Sequence, residues 1–186
     1  GLWFVAGLLG WDWLITICAV FTLPIALATT AYTGFLFAQG LARDLWQGTH
    51  ATIDLLAQAA IEGAAALLIA SIFAGHTEGS LGMLAWTLGL ATTAHFLILV
   101  FEHLFTPSAT LHHELAVRAI VHGAFSRLFW IGALGLGGIA PMGMILFAGL
   151  SGFTLEMLVP AAIVALIGGL AWEYIWVEAG QSVPLS

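Results

Sequence analysis

Long apolar stretches separated by short polar segments dominate this sequence. Five of them reach or approach about 20 predominantly apolar residues, the length of a helix that crosses a bilayer. They run from about residue 14 to 39, 53 to 75, 81 to 105, 128 to 149 and 154 to 177. Two of the connections are short and rich in Gly, Ser or Thr, so the helices that they join pack as antiparallel neighbours. The pattern predicts an all-α integral membrane protein of about five transmembrane helices packed as a bundle.

The composition narrows the class of protein further. Hydrophobic residues make up 61% of the chain and charged residues only 7%, which excludes an ordinary water-soluble fold and makes membrane lipid its surroundings. The chain has only three basic residues and ten acidic ones, so it lacks the basic clusters that bind nucleic acid. The one cysteine, Cys18, can form neither an internal disulfide nor an iron–sulfur ligand set.

The three arginines predict an orientation. With five alternating spans, Arg43, Arg118 and Arg127 lie on the same side of the membrane as a tail at residues 178–186. The positive-inside rule makes that side, and therefore the carboxy-terminus, cytoplasmic. Tryptophans near the predicted span ends are interpreted as interfacial belts: Trp11, Trp13, Trp46, Trp172 and Trp176.

The start of the chain has no signal-peptide features. It begins with Gly1 and has no basic n-region or polar cleavage context. We therefore interpret residues 1–13 as an outer-face lead-in that ends a missing segment. In this interpretation the sequence is a processed chain or the carboxy-terminal part of a longer one, with the transmembrane domain at 14–177.

Ionisable residues inside the spans are candidates for function because lipid makes them costly. Four polar residues repeat at a four-residue spacing along one helix: His50, Asp54, Gln58 and Glu62. The next helix runs back and brings His95 to a depth close to that of Glu62, with Glu102 seven residues further on. Carboxylates and imidazoles in line can pass protons. The predicted proton path therefore contains the following residues: Asp54, Gln58, Glu62, His95 and Glu102.

The alternative interpretation of these residues is structural. In it, Glu62 is protonated and hydrogen-bonded to a neighbouring helix, while Asp54 and His50 are hydrated at the interface.

Other motifs give weaker signals. His95 is the one histidine predicted to lie deep, so a haem with two histidine ligands is not expected within this chain. His112, His113 and Glu114 lack the HExxH spacing of a zinc site, so an interfacial segment is expected there rather than a metal site. His103, beside Glu102, is expected at the interface. Glu173 lies close enough to the cytoplasmic end to join the polar line. Glycines in the fourth span are interpreted as a packing face rather than a phosphate loop: Gly135, Gly137, Gly138 and Gly143.

Three short motifs carry a family resemblance. The stretch AYTGFLFA at residues 31–38 leads into ARDLW at 42–46, a helix ends in Glu102-His103, and GAFSRLFW at 123–130 opens the next helix. This pattern resembles the NrfD-like family of polysulfide reductase membrane anchors, and the resemblance covers most of the chain. It implies a subunit of eight to ten helices in two bundles. It also implies that the present chain is the carboxy-terminal part of such a subunit, without the first three helices.

The resemblance also implies a function. Family members exchange electrons between a membrane quinone, menaquinone or ubiquinone, and an iron–sulfur partner subunit. That partner belongs to a complex with a molybdopterin or multihaem cytochrome subunit. The expected protein is thus a quinone-interacting anchor of a respiratory or photosynthetic redox complex in the bacterial inner membrane. It binds no haem or iron–sulfur cluster itself and is not a complete enzyme alone.

The expected quinone-binding residues are Asp12 and Trp13, at the end where the family's iron–sulfur partner docks, and Tyr32 of the family motif. Asp12 and Tyr32 each have a plainer interpretation: Asp12 as a solvated residue at a helix start, and Tyr32 as a hydrogen-bonding partner between helices. Two other functions compete with the redox anchor. One is a transporter or channel subunit whose polar line carries a proton or ion, and the other is a purely structural anchor.

Overall fold

The computed structural model describes residues 1–40, 43–48 and 50–182. Ala42 of the ARDLW motif and residues 183–186 of the predicted tail lie outside the described residues. The regular elements of the described part are helices, which confirms the all-α fold class. The α-helices are α1 (Leu2–Leu9), α2 (Asp12–Ala38), α3 (Ala51–Ala74), α4 (Glu78–Val100), α5 (Leu111–Val121), α6 (Ala140–Ser151) and α7 (Leu155–Ser182).

Within the described part of the chain, five helices are long and apolar enough to cross a membrane, as the hydropathy pattern predicts. They are Asp12–Ala38, Ala51–Ala74, Glu78–Phe105, Leu128–Ser151 and Leu155–Ser182. The last one runs five residues beyond the predicted end at 177. Its final turns stay helical because Ala179 and Gly180 are buried against the loop that follows α2.

Two of the spans contain π-helical segments, which carry an extra residue per turn. The span of α4 continues as a π-helix over Phe101–Phe105. The span of α6 begins as a π-helix over Leu128–Ile139, and Pro141 follows in the first turn of α6. Such segments are rare and are often found at functional sites because they change the direction in which side chains project.

Helix α7 lies at the centre of the bundle. It packs against α3, α6, α5 and the π-helical segment Leu128–Ile139. The closest approach is between Gly168 of α7 and Gly137, where a Cβ on Gly168 would overlap the Gly137 backbone. The packing interpretation of the glycines is therefore confirmed for Gly137 and for Gly138, which lies against the Phe96 ring. It is wrong for Gly143, whose surroundings are open.

The loops with the arginines form one end of the bundle, which we call the arginine end. A 3₁₀ turn at Asp44–Gln47 follows Arg43, whose Nη1 donates a hydrogen bond to the carbonyl of Gly180 (2.9 Å). Thr110 donates its hydroxyl proton to Asp44 and accepts a hydrogen bond from the backbone N–H of His113, so α5 is tied to the same turn. Arg118 lies on α5 and Arg127 directly precedes the next span.

Candidate functional site

The buried carboxyl group of Asp54, in the first turn of α3, accepts three hydrogen bonds. Asp54 Oδ1 accepts from His95 Nδ1 at 2.5 Å. Its Oδ2 accepts from Gln58 Nε2 at 2.7 Å and from the indole Nε1 of Trp172 at 3.2 Å. A carboxylate removed from water is tolerated when its oxygens are bonded in this way.

The local sequence explains how these side chains meet. Asp54 and Gln58 are four residues apart on α3, so they stack on one face of the helix. Helix α4 runs antiparallel to α3 and brings His95 opposite Asp54, while Trp172 reaches the pair from α7. All four side chains are buried, with 7% of Asp54 and of Gln58 exposed and 2% of His95 and of Trp172.

On the side towards the arginine end, Asp54 adjoins Glu102. Asp54, Gln58, Glu102 and Trp172 line a cavity of about 10 Å³, which is close to the smallest that holds one water molecule. Glu102 also lines a surface groove of about 350 Å³, which we call the Glu102 groove. The other residues of that groove are His50, Leu97, Ile98, Phe101 and Thr106.

On the other side of the pair, a second cavity reaches Glu62. We call it the Gln58 cavity; its volume is about 20 Å³. Its walls are Gln58, Ile61, Glu62, His95, Gly137, Ala165, Leu166 and Gly169. Glu173 on α7 lies near enough to Glu62 for the two carboxyl groups to interact.

The structure thus brings the five residues of the predicted proton path to two adjoining cavities. His50 lies in the Glu102 groove rather than in line with them. The four-residue spacing explains this difference, because each step of four residues rotates about 40° around an α-helix. Asp54 and Gln58 are therefore buried, whereas His50 and Glu62, at the two ends of the series, are exposed.

The residues predicted to bind quinone lie on α2, and none of them lines the two cavities or the Glu102 groove. Asp12 and Trp13 begin the helix and Tyr32 is 20 residues later, about 30 Å along the axis from Asp12. All three are exposed on a helix that packs mainly against α1 and α3. One quinone ring cannot contact both ends of this helix.

Trp172 is the functional residue that the sequence did not reveal. Its interpretation as an interfacial residue is wrong, because it is buried and bonded to Asp54. The sequence signal for its burial was a stripe of small or apolar residues along α7. They lie at alternating spacings of four and three, and all are buried: Ala161, Ala165, Gly168, Trp172, Ile175 and Ala179. A residue in such a stripe faces the core.

His103 is also buried, although its position near the span end indicated the interface. It is 6% exposed, and its Nδ1 donates to the carbonyl of Leu99 at 3.1 Å. Its ring makes edge contacts with Trp172 (5.0 Å between centroids) and lies 5.9 Å from Phe129. His103 therefore contributes to the packing that holds Trp172 in place.

The histidines of α5, His112 and His113, are partly buried. Within residues 1–40, 43–48 and 50–182, no group of three or more His, Cys, Asp or Glu side chains is arranged to hold a metal ion. Partial burial lowers the pKa of His113, and the nearby carboxylate of Asp44 offsets part of that shift. The chemistry that the described geometry allows is proton transfer along the series Glu102, Asp54, His95 and Glu62.

Comparisons with known proteins agree with the sequence motifs. A family model described as polysulphide reductase, NrfD, matches residues 3–184. A selenate reductase subunit of Mesobacillus selenatarsenatis is 29% identical over 125 residues, which cover 64% of this chain and 29% of that protein. The chain thus spans less than a third of the length of this curated relative. No solved structure matches the chain.

Proposed function

Because this chain belongs to the polysulphide reductase NrfD family, we propose that it is part of a membrane subunit that couples a quinone to a reductase complex. The observation that carries the proposal is the buried Asp54–His95 pair, with one cavity leading to Glu102 and another to Glu62. Ionisable groups placed inside a membrane bundle at the cost of their hydration are typical of proton relays.

The Glu102 groove fits the ring of a quinone. Its volume of about 350 Å³ falls within the usual range of small-molecule sites. Leu97, Ile98 and Phe101 provide an apolar wall, and Glu102 and His50 provide groups that can hydrogen-bond the ring oxygens. A bound menaquinone or ubiquinone supplies two-electron redox chemistry that takes up or releases two protons.

The chain's own residues would then move those protons. Glu102 lines both the groove and the cavity beside Asp54, so its carboxyl group can exchange a proton with either side. Asp54 is hydrogen-bonded to His95, which passes the proton on towards Glu62. Trp172 and Gln58 hold Asp54 in position and have no proton to exchange near neutral pH.

The electrons of the quinone must be exchanged with another subunit, because we assign no redox centre to the described residues. We propose an iron–sulfur partner in a complex with a molybdopterin or multihaem cytochrome subunit, at the bacterial inner membrane with the arginine end cytoplasmic. The relative from Mesobacillus selenatarsenatis is by its name one component of a reductase, which supports a complex of this kind.

The test compares two candidate quinone sites in the purified complex reconstituted in vesicles. Glu102→Gln should reduce quinone-linked turnover and proton uptake by roughly 10²-fold or more, the usual contribution of a positioned proton donor. Tyr32→Phe and the control Glu78→Gln, at the opposite end of α4, should leave both unchanged.

Three outcomes would contradict the proposal. Loss of quinone-linked turnover in Tyr32→Phe, with normal turnover in Glu102→Gln, would indicate that the quinone binds at α2. Proton conduction that needs no quinone would indicate a transporter or channel. A native chain that copurifies with neither quinone nor an iron–sulfur or haem subunit would leave only a structural anchor.

A further inference from the structure

The Gln58 cavity contains a buried hydrogen-bond acceptor without a protein donor. Gln58 is 7% exposed, and its Nε2 donates a hydrogen bond to Asp54. Within the described part of the chain, no donor reaches its Oε1. The amide cannot be turned around, because its oxygen would then face a carboxylate oxygen. Oε1 is therefore not the atom bonded to Asp54, and Gln58 lines the cavity that it shares with Glu62 and His95.

The groups around this cavity need a small molecule that donates hydrogen bonds. A buried acceptor without a donor is destabilising, because it has lost its hydration and gained no hydrogen bond in exchange. Two titratable groups line this cavity, Glu62 from α3 and His95 from α4. Asp54 is bonded to His95 on its other side, and Glu173 from α7 interacts with Glu62. His95 uses Nδ1 for Asp54, so its Nε2 is the ring atom left to face the cavity. The volume of about 20 Å³ exceeds the roughly 10–15 Å³ that one water molecule requires.

We propose that the Gln58 cavity binds one water molecule, which passes a proton between His95 and the carboxyl pair of Glu62 and Glu173. The water donates one hydrogen bond to Gln58 Oε1 and is held by Glu62 and His95. The proposal extends the proton route above and rests on it for the source of the proton. It also adds Glu173, which shares the proton with Glu62.

The transfer step balances. The His95 imidazolium gives its Nε2 proton to the water oxygen while the water gives one of its own protons to a Glu62 carboxylate oxygen. One N–H bond and one O–H bond break, and two O–H bonds form. The water is regenerated, His95 becomes neutral, and Glu62 becomes a carboxylic acid that can bond to Glu173.

Glycine at position 169 offers a test that changes no polar group. Gly169 is a wall of the cavity, and a Cβ there would meet no atom within 4 Å. Gly169→Ala and Gly169→Leu should therefore fold, and their side chains compete with the water for space. Gly143 is the matched control, because it is also a helical glycine in a span with open surroundings, but it lies in a different groove.

Two measurements on the complex decide the proposal. A high-resolution cryo-electron microscopy map should show a peak within hydrogen-bonding distance of Gln58 Oε1 that is absent in Gly169→Leu. Quinone-linked proton uptake should fall roughly tenfold or more in Gly169→Leu, less in Gly169→Ala, and remain normal in Gly143→Leu. No peak in the unmodified complex, or loss of the peak with unchanged uptake, would overturn it. Failure of the unmodified complex to take up protons would instead refute the proposed function, because the map still reports on the water.

Discussion

The contact between Gly168 and Gly137 allows a sharp test of how α7 is held. Replacing Gly168 by alanine would place a methyl group over the backbone of Gly137 and 2.8 Å from the carbonyl carbon of Leu136. Neither backbone can give way without moving a whole helix, so the cost is that of overpacking, about 1–3 kcal/mol. The adjacent Gly169→Ala meets nothing within 4 Å and should gain up to about 1 kcal/mol from helix propensity.

Two variants that differ by one position should therefore separate by about 1–4 kcal/mol in the free energy of unfolding. On the scale of globular domains of similar size, this corresponds to about 2–16 °C in melting temperature. Thermal unfolding in detergent, followed by circular dichroism, measures the difference, with Gly143→Ala as the reference for helix propensity alone. Equal melting temperatures for Gly168→Ala and Gly169→Ala would refute the close approach of α7 to the π-helical segment.

Three further predictions concern the residues around the site. Trp172→Phe removes the indole donor of Asp54 and should lower the free energy of unfolding by about 1–3 kcal/mol, measured in the same thermal assay; no loss would show that the 3.2 Å bond contributes nothing. Arg43→Gln removes the cation that binds the Gly180 carbonyl in the last turns of α7, and should lower the free energy of unfolding by about 0.5–2 kcal/mol. Limited proteolysis near Gly180 should become faster, and unchanged cleavage would contradict this anchoring. Because the pKa of His113 is lowered, stability should fall as the pH decreases from 6.5 towards that lower pKa, and His113→Asn should flatten the melting-temperature profile in this range.

Hydropathy predicted the spans well because a bilayer imposes both length and composition on each helix. The spacing of Asp54, Gln58 and Glu62 on α3 also predicted a polar face, and the antiparallel return of α4 brought His95 to that face. His95 is bonded to Asp54, however, rather than lying opposite Glu62 as the predicted depth implied. These predictions needed only helix geometry. Helix geometry also explains why His50 and Glu62 are exposed: at the two ends of the four-residue series they rotate out of the buried face.

The burial of Trp172 could not be predicted from its own position. Tryptophan near a span end is typical of an interface, and that preference applies only if the indole points to the headgroups. Here the small residues of α7 bring that face against α3 and the π-helical segment, so tertiary packing decided the outcome. The Glu102 groove was hidden for a similar reason, because the change to π-helical geometry at Phe101–Phe105 has no clear signal in the sequence.

That π-helical segment means that chain length, and not only residue type, controls the position of Glu102. A π turn holds one residue more than an α turn, so a deletion of one residue there would restore ordinary helical bonding. If Phe101 were lost, Glu102 would take its place and turn by about 100° onto an exposed face. Asp54 and His95 would keep their bond, because the helix before the deletion is unchanged. A single-codon deletion would thus disconnect the groove from the buried pair while the fold persists.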